Sequence, residues 1–301
     1  MEVTIIGLGK MGLNIAKNMK RNGITVYGTD VSPEARQAAE KAGIPVFETV
    51  ADAVAAQKND QKVVWSMLPA GTITDDMITE LSQMLKPEDI VIDGGNSRYT
   101  DSLRHHELLH DKGIYFFDAG TSGGMNGALN GANYMVGGDE EAWPVIEEVF
   151  AKTAAPDGYL FTGKPGSGHF LKMIHNGIEY GMMQAIGEGF DVLEHSDYDY
   201  DYAKVAKLWN NGSVVRSWLM ELAQEAFEKD ADLHEIKGVM HSNGEGQWTV
   251  EEALKLKTPV PVISLSVMMR DRSLENDTFS GKVVASLRNG FGGHAVEKED
   301  K

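Results

Sequence analysis

The chain has 301 residues, of which 42% are apolar, and it carries a formal net charge of −17. That length suits about two domains, each with its own core. The charge argues against a nucleic-acid partner, which needs a clustered basic surface, although it also serves solubility alone. The lack of cysteine excludes disulfides, thiolate metal sites and cysteine nucleophiles.

Nothing in the sequence predicts a membrane partner. No window holds the roughly 18 consecutive apolar residues that a membrane span needs, and the chain opens on an apolar strand without a basic segment or a cleavage site. We therefore expect a soluble protein of the cytoplasm.

Short β-branched runs alternate with helix-length segments up to about residue 160. This pattern predicts a doubly wound, mostly parallel sheet with helices on both faces, and ligands beyond the carboxyl ends of its strands. The predicted strands are residues 3–7, 25–30, 63–67, 90–93 and 115–119, and the predicted helices include residues 11–21, 33–42 and 99–112.

A glycine-rich loop at residues 163–168 ends the strand pattern, and long helical patterns follow it. The predicted fold class is therefore an α/β Rossmann domain followed by an all-α domain. We place the first over residues 1–165 and the second over residues 166–301, with a tail from about residue 286.

The first strand and the first helix are joined by a GxGxxG sequence. In a dinucleotide-binding turn its glycines allow a tight turn, close approach of the backbone to the pyrophosphate, and close helix packing. The helix N-terminus adds amide donors and a positive dipole end. The predicted cofactor-binding residues of this turn are Gly7, Leu8, Gly9, Lys10, Met11 and Gly12.

Asp30 ends the second predicted strand, eighteen residues beyond Gly12. A carboxylate at this position accepts hydrogen bonds from the ribose hydroxyls of NAD and repels the extra phosphate of NADP. The alternative is that Asp30 caps the helix near Pro33, although Ser32 is the better cap candidate. The pattern favours NAD as the cofactor.

A polar stripe marks residues 172–180, where helical spacing places Lys172, His175, Asn176, Glu179 and Tyr180 on one face. A solvated face is the alternative, but exposed faces seldom gather such residues with so few other charges. A domain junction is also where clefts form. The lysine and the glutamate lie about 10 Å apart along the axis, which suits a general base and a general acid.

The opposite face of the same helix is apolar. It carries Met173, Ile174, Ile178 and Met182 beside small glycines, and we expect it to pack rather than to be exposed.

Several segments resemble the 6-phosphogluconate dehydrogenase family, in its short, NAD-dependent bacterial form. The most specific is residues 172–180, because the wider β-hydroxyacid dehydrogenases share the glycine turn, a Ser-Gly-Gly segment and a lysine four residues before an asparagine. The matching segments are residues 7–12, Asp93-Gly94-Gly95-Asn96-Ser97, Thr121-Ser122-Gly123-Gly124, residues 168–180 and residues 288–294.

The resemblance implies oxidative decarboxylation of 6-phospho-D-gluconate to D-ribulose 5-phosphate and CO2 with reduction of NAD+, without a metal, in the pentose phosphate pathway. It implies that Lys172 takes the proton of the 3-hydroxyl and that Glu179 protonates C1 of the enediol. It assigns the substrate carboxylate and hydroxyls to Asn96, Ser122, Gly123, Gly124, His175 and Asn176. It assigns the phosphate to Tyr180, Arg270 and Arg288, the sugar to His294, and further cofactor contacts to Leu68 and Asn96.

Two features complicate the assignment of the phosphate site. Arg270 has the alternative of a surface ion pair with Asp271 or Glu275. Asn243 and Glu245 stand where the long form of the family has a phosphate-binding lysine and threonine. The departure bears on the phosphate contacts rather than on the reaction type.

The resembled family completes each active site with the tail of a neighbouring subunit. This implies a homodimer or homotetramer in which Arg288 and His294 act in trans, with a tail folded onto its own site as the alternative. Candidates for the contact between subunits are Trp209, Trp218, Leu219 and Met220.

Two other functions stay open. One is a related dehydrogenase for an unphosphorylated acid such as 3-hydroxyisobutyrate or gluconate. The other is a non-catalytic NAD-binding sensor, against which the complete polar stripe argues.

Overall fold

The structure is a computed structural model that describes residues 1–292 and 295–297. The chain divides into two compact units, Met1–His175 and Asn176–Lys301. One long helix crosses this division. The domain bounds at residues 165 and 166 and the start of the tail stay predictions.

Eight strands form one sheet in the first unit. They are β1 (Glu2–Ile6), β2 (Thr25–Thr29), β3 (Val46–Phe47), β4 (Val63–Ser66), β5 (Ile90–Asp93), β6 (Tyr115–Ser122), β7 (Ala132–Gly138) and β8 (Ala154–Gly163). Their order is β3-β2-β1-β4-β5-β6-β7-β8. All neighbours are parallel except β6 and β7, which confirms the predicted mostly parallel sheet.

Seven helices accompany the sheet. They are α1 (Lys10–Arg21), α2 (Pro33–Lys41), α3 (Val50–Ala55), α4 (Thr72–Met84), α5 (Tyr99–His110), α6 (Gly124–Asn130) and α7 (Trp143–Thr153). Ser32 is the N-cap of α2, since its hydroxyl accepts a hydrogen bond from the Ala35 amide at 3.2 Å. The five strands and three helices expected from the sequence all form, with ends that differ by at most three residues.

The central strands β4 and β5 are buried throughout and mostly apolar, because helices cover both faces of the sheet. Alternate side chains of a strand point to opposite faces, so Ile5 and Trp65 belong to one core cluster, whereas Ile6 and Val64 belong to another. Trp65 also packs against Phe150, with ring centroids 5.0 Å apart. The sheet is thus a rigid support for the loops at its carboxyl ends.

The remaining secondary structure of the described residues is helical, which confirms the expected all-α region. It comprises α8 (Ser167–Glu194), α9 (Tyr202–Asn210), α10 (Trp218–Lys229), α11 (Glu245–Lys255), α12 (Pro261–Ser273) and α13 (Phe279–Gly292). None of the helices in the described part of the chain has the length and apolar character needed to cross a membrane.

Two expectations about packing in the helical region were wrong in part. The expected apolar packing face of α8 forms only in part: Met173 is buried, but Ile178 and Met182 are 53% and 43% exposed. The polar residues Asn176 and Tyr180 are buried. Tyr180 can be buried because its hydroxyl finds hydrogen-bonding partners in Ser242 and Asn243. Met220 is buried in the small core of the second unit with Phe190, so it is not available as a contact between subunits.

Candidate active site

The turn after β1 has the geometry of a phosphate-binding loop. Gly7 has a φ of 94°, and a β-carbon on Gly12 would collide with the Gly7 carbonyl oxygen, so neither position accepts a larger residue. A β-carbon on Gly9 would meet nothing within 4 Å. Gly9 thus opens onto free space in front of the first amides of α1, where a pyrophosphate fits.

Asp30 lies beside this turn at the end of β2. Its Oδ2 accepts a hydrogen bond from the Leu8 amide at 2.6 Å, and its Oδ1 accepts one from the Ser32 amide at 2.8 Å. Each carboxylate oxygen keeps a second lone pair for a ligand. Ser32, and not Asp30, is the N-cap of α2. The hydrogen bond from the Leu8 amide holds Asp30 beside the glycine turn at the carboxyl end of the sheet.

Leu68 and Asn96 follow β4 and β5, at the same edge of the sheet. Leu68 comes two residues after β4, and its Cδ2 would lie 3.2 Å from a β-carbon on Gly7. Asn96 comes three residues after β5 and is half-buried. The strand order reverses between β1 and β4, which is the position at which α/β sheets bind ligands.

The Ser-Gly-Gly segment follows β6. Ser122 is the last residue of the strand, and Gly123, with a φ of 107°, is the N-cap of α6, which begins at Gly124. The hydroxyl of Ser122 lies 3.3 Å from Nε2 of His175. The structure therefore brings together two residues that the sequence placed in the substrate site.

A buried aspartate on β6 holds the start of α8, and sequence reasoning missed it. Asp118 accepts hydrogen bonds from the amides of Gly166 at 2.6 Å and His169 at 2.7 Å, which are donors that a helix cannot satisfy internally. Burial raises the pKa of the Asp118 carboxyl above its usual value. An acidic residue inside an apolar strand was the available signal, because buried acids need such partners.

Lys172 lies on the next turn of α8 and is only 8% exposed. A β-carbon on Gly120 would collide with its Cβ and would lie 2.9 Å from its Cγ. The stem of Lys172 therefore packs directly on β6, two residues beyond Asp118. One strand thus holds both the start of the helix and the stem of the lysine.

Tyr180, further along α8, belongs to a polar cluster in the second unit. Its hydroxyl donates to Oδ1 of Asn243 at 2.9 Å and lies 3.1 Å from the Ser242 hydroxyl. The guanidinium carbon of Arg270 is 3.5 Å from the Tyr180 ring centroid, a cation–π stack. The structure therefore joins Tyr180 to Arg270, as expected, and shows Asn243 and Ser242 as additional partners.

The alternative for Arg270 is wrong. No ion pair links it to Asp271 or Glu275 within residues 1–292 and 295–297; instead it donates to the His241 carbonyl at 3.1 Å. Glu245 is buried at the first position of α11, where the helix dipole favours a carboxylate.

The remaining predicted residues of the second unit differ in how far the structure describes them. Asn176 is buried and Glu179 is half-buried on α8. Arg288 is exposed on α13, and His294 lies outside the described residues.

Comparisons with known proteins agree with this geometry. Residues 2–165 match the NAD binding domain of 6-phosphogluconate dehydrogenase, and residues 168–286 match the C-terminal domain of the same enzyme. A NAD(+)-dependent, decarboxylating 6-phosphogluconate dehydrogenase of Haloferax volcanii is 43% identical over all of both chains. YqeC of Bacillus subtilis is 53% identical over 99% of this chain and all of its own length.

Solved structures extend the likeness to three dimensions. The 6-phosphogluconate dehydrogenase of Plasmodium falciparum superposes with a TM-score of 0.84 at 26% identity, over all of this chain and 67% of that one. The matches of both parts of the sequence and of the whole fold therefore point to the same family. The chain belongs to the 6-phosphogluconate dehydrogenase family.

Proposed function

We propose that this chain oxidises 6-phosphogluconate and decarboxylates it to ribulose 5-phosphate, with NAD+ as the hydride acceptor, as a cytoplasmic enzyme of the pentose phosphate pathway. The observation that carries the proposal is the polar stripe of α8, in which Lys172, Asn176 and Tyr180 are buried. The Haloferax volcanii relative, whose name states this reaction and this cofactor, supports it.

The residues around the glycine turn fit NAD. Gly9 leaves room for the pyrophosphate, and the carboxylate of Asp30 has free lone pairs for the ribose hydroxyls. Bound NAD+ supplies the acceptor for the hydride from C3 of the substrate. The residues assigned to it are Gly7, Leu8, Gly9, Lys10, Met11, Gly12, Asp30, Leu68 and Asn96.

Lys172 is the proposed base. It takes the proton of the 3-hydroxyl as C3 is oxidised to a ketone, and its ammonium form then donates to the ketone oxygen. The electron pair of the bond to the carboxylate moves toward that oxygen, CO2 leaves, and the oxygen receives the proton of Lys172. An enediol of the remaining five-carbon sugar results.

Glu179 is the proposed acid. It donates a proton to C1 of the enediol while Lys172 takes the proton of the neighbouring hydroxyl, which forms the ketone of ribulose 5-phosphate. Protons then return from Lys172 to Glu179 through solvent.

The rest of the polar set is proposed to bind the substrate. The carboxylate and hydroxyls are assigned to Asn96, Ser122, Gly123, Gly124, His175 and Asn176. The phosphate is assigned to Tyr180, Arg270 and Arg288, and the sugar to His294. The stack of Arg270 on Tyr180 orients a planar guanidinium, which suits paired hydrogen bonds to phosphate oxygens.

The test is to measure NADH and CO2 together for 6-phosphogluconate, gluconate and 3-hydroxyisobutyrate. We expect equal amounts of both products from 6-phosphogluconate and little turnover of the other two acids. NADH without CO2 from 3-hydroxyisobutyrate would support the related dehydrogenase instead. NAD binding without turnover of any acid would support the sensor.

We further propose that the protein is a homodimer or homotetramer in which the tail residues Arg288 and His294 complete the site of a neighbouring subunit. Its support is the exposed apolar surface of α13, on which Val284 and Leu287 are 55% and 61% exposed. Ile178 and Met182 on α8 add further exposed apolar surface, and such surface marks interaction sites.

A subunit-mixing experiment tests this assembly. A Lys172→Met chain and an Arg288→Ala chain, each folded and inactive alone, are exchanged and assayed together. Sharing in trans restores sites that combine an intact α8 with an intact tail. No recovered activity after verified exchange would contradict the proposal.

A further inference from the structure

The end of α5 carries a sequence pattern that the dehydrogenase reaction does not use. His106-Glu107-Leu108-Leu109-His110 has the form HExxH. On a helix this spacing places two imidazoles on one face, which is the arrangement that binds zinc in metal-dependent enzymes. The pattern needs a third ligand nearby before it predicts a metal site.

The structure supplies the helix and the third ligand. Both histidines lie on α5, with ring centroids 5.1 Å apart and ring planes inclined by 29°. Asp139, the residue after β7, has its Oδ1 2.9 Å from Nε2 of His106. One ligand atom from each of the three residues lies within 4.8 Å of the others. We propose that His106, His110 and Asp139 bind a divalent metal ion of the zinc class.

Two of the three ligands are already fixed in place. The other carboxylate oxygen of Asp139 accepts a hydrogen bond from the Phe116 amide at 2.8 Å. The side chains of His106 and Asp139 are 22% and 12% exposed, whereas His110 is exposed. His106 and Asp139 are therefore held in position, and a bound ion would complete the site by drawing in the exposed His110.

The distances require a small adjustment. Ligands of a tetrahedral zinc ion, at about 2.1 Å from the metal, lie about 3.4 Å apart, so the imidazole of His110 has to move by roughly 1 Å. Its exposure permits that movement. Two imidazoles and a carboxylate leave at least one position for water, and this mixed set suits Zn²⁺ better than Mg²⁺ or Ca²⁺.

The local charge favours a cation. Asp139 contacts Nε2 of His106, and Glu107 is the next residue in the chain, so negative charge lies beside this imidazole. Negative charge there attracts a divalent ion.

The proposed metal site is separate from the cofactor turn. Gly138, next to Asp139, pairs with Phe117 near the start of β6. Gly7 and Asn96 instead follow the carboxyl ends of their strands. An ion here would link the end of α5 to the residue that follows β7. The proposal does not depend on the dehydrogenase activity.

The test is calorimetric titration of the full-length, untagged, chelator-treated protein with ZnCl2. We expect saturation at one ion per chain and an increase in Tm that a chelator reverses. His110→Gln and His106→Gln should each weaken binding about tenfold or more. His195→Gln is the matched control, because His195 is exposed and lies beside Asp191 at 3.5 Å.

Visible absorption of the Co²⁺-loaded protein adds a structural readout. Bands typical of nitrogen and oxygen ligands should be present in the wild type and in His195→Gln, and lost in His110→Gln. Circular dichroism and NAD binding report whether each variant is folded. If His106→Gln unfolds, the result for His110→Gln is decisive, because His110 is exposed. Absence of saturable binding to the wild type, or wild-type affinity in folded His110→Gln, would overturn the proposal.

Discussion

The two units of the chain bury their apolar residues to different extents. The first unit encloses two clusters that include large, fully buried side chains such as Trp65 and Phe116. The buried cluster of the second unit comprises Phe190, Ala206 and Met220. Large apolar side chains of the second unit are exposed instead, among them Leu208, Leu254, Leu265, Met268, Phe279 and Leu287.

This difference indicates which unit depends on further contacts. A sheet covered on both faces supplies its own core within one chain. Helices with apolar residues left on the surface need another partner to bury them. The first unit is therefore the rigid support, and the second is the one for which we propose a subunit contact.

The largest expected effect tests the proposed base and the proposed acid. Lys172→Met in the first unit and Glu179→Gln in the second should each lower kcat by roughly 10² to 10⁴-fold, as expected for loss of a positioned proton-transfer group. The affinity for NAD, measured by fluorescence titration, should stay unchanged.

Two matched controls accompany these variants. Lys164→Met and Glu188→Gln alter an exposed lysine before α8 and an exposed glutamate on it, and should keep wild-type kcat. Near wild-type turnover of Lys172→Met or Glu179→Gln would refute the assigned roles.

The next effect tests the rigidity of the first unit. Asp118→Ala leaves the amides of Gly166 and His169 without their buried acceptor. At roughly 2 kcal/mol for each unsatisfied donor, the free energy of unfolding should fall by about 4 kcal/mol. Urea denaturation followed by circular dichroism measures it, and a loss below 1 kcal/mol would show that Asp118 does not hold α8.

The same side chain predicts a pH dependence. Because burial raises the pKa of Asp118, the folded state retains a proton that the unfolded state releases. The contribution of this group to stability therefore falls as pH rises from the unfolded value, about 3.9, through the folded one. The stability difference between wild type and Asp118→Asn should decline with pH across that window, and an increase would contradict the sign.

A smaller effect separates core from surface in the second unit. Met220→Ala should lower the free energy of unfolding by about 3 kcal/mol, because it leaves a cavity in the small core. Leu254→Ala, at an exposed position on α11, should change it by less than about 0.5 kcal/mol. A large loss at Leu254, measured by the same denaturation, would show that the assembled protein covers this side chain.

The smallest effect concerns cofactor choice in the first unit. Asp30→Asn removes the charge that disfavours the 2′-phosphate but keeps an oxygen for the Leu8 amide. The ratio of kcat/KM for NADP to that for NAD should rise roughly tenfold, which is about 1.4 kcal/mol. Glu40→Gln on the surface of α2 is the control, and equal use of NAD and NADP by the wild type would refute the role of Asp30.

The sequence predicted the strands that obey local rules and missed those that depend on neighbours. β4 and β5 are apolar runs with both faces covered, so composition alone identified them. β8 contains Pro156, Asp157 and Gly158, which are typical of turns, and it forms a strand because β7 pairs with it. Pairing with β7 also extends β6 past the predicted end at Ala119 to Ser122.

The residues of the candidate site also fall into two groups: those that a local sequence pattern identifies and those that it does not. Helical spacing was enough to place Lys172, Asn176 and Tyr180 on one face of α8. Asp118 is more than forty residues before the helix that it holds, and Asn243 is more than sixty after Tyr180, so no local pattern links these pairs. Contacts of that sequence separation depend on how the chain folds back on itself.

The continuity of α8 has a stereochemical consequence. Its 28 residues form one uninterrupted helix, about 42 Å long at 1.5 Å per residue. The spacing of Lys172 and Glu179 along the helix is therefore set by helical pitch. One additional residue between the two would turn Glu179 by about 100° around the helix axis and away from the face of Lys172. The proposed enzyme would keep both ionisable groups and lose their alignment, so the phase of the helix is as much a part of its chemistry as the side chains are.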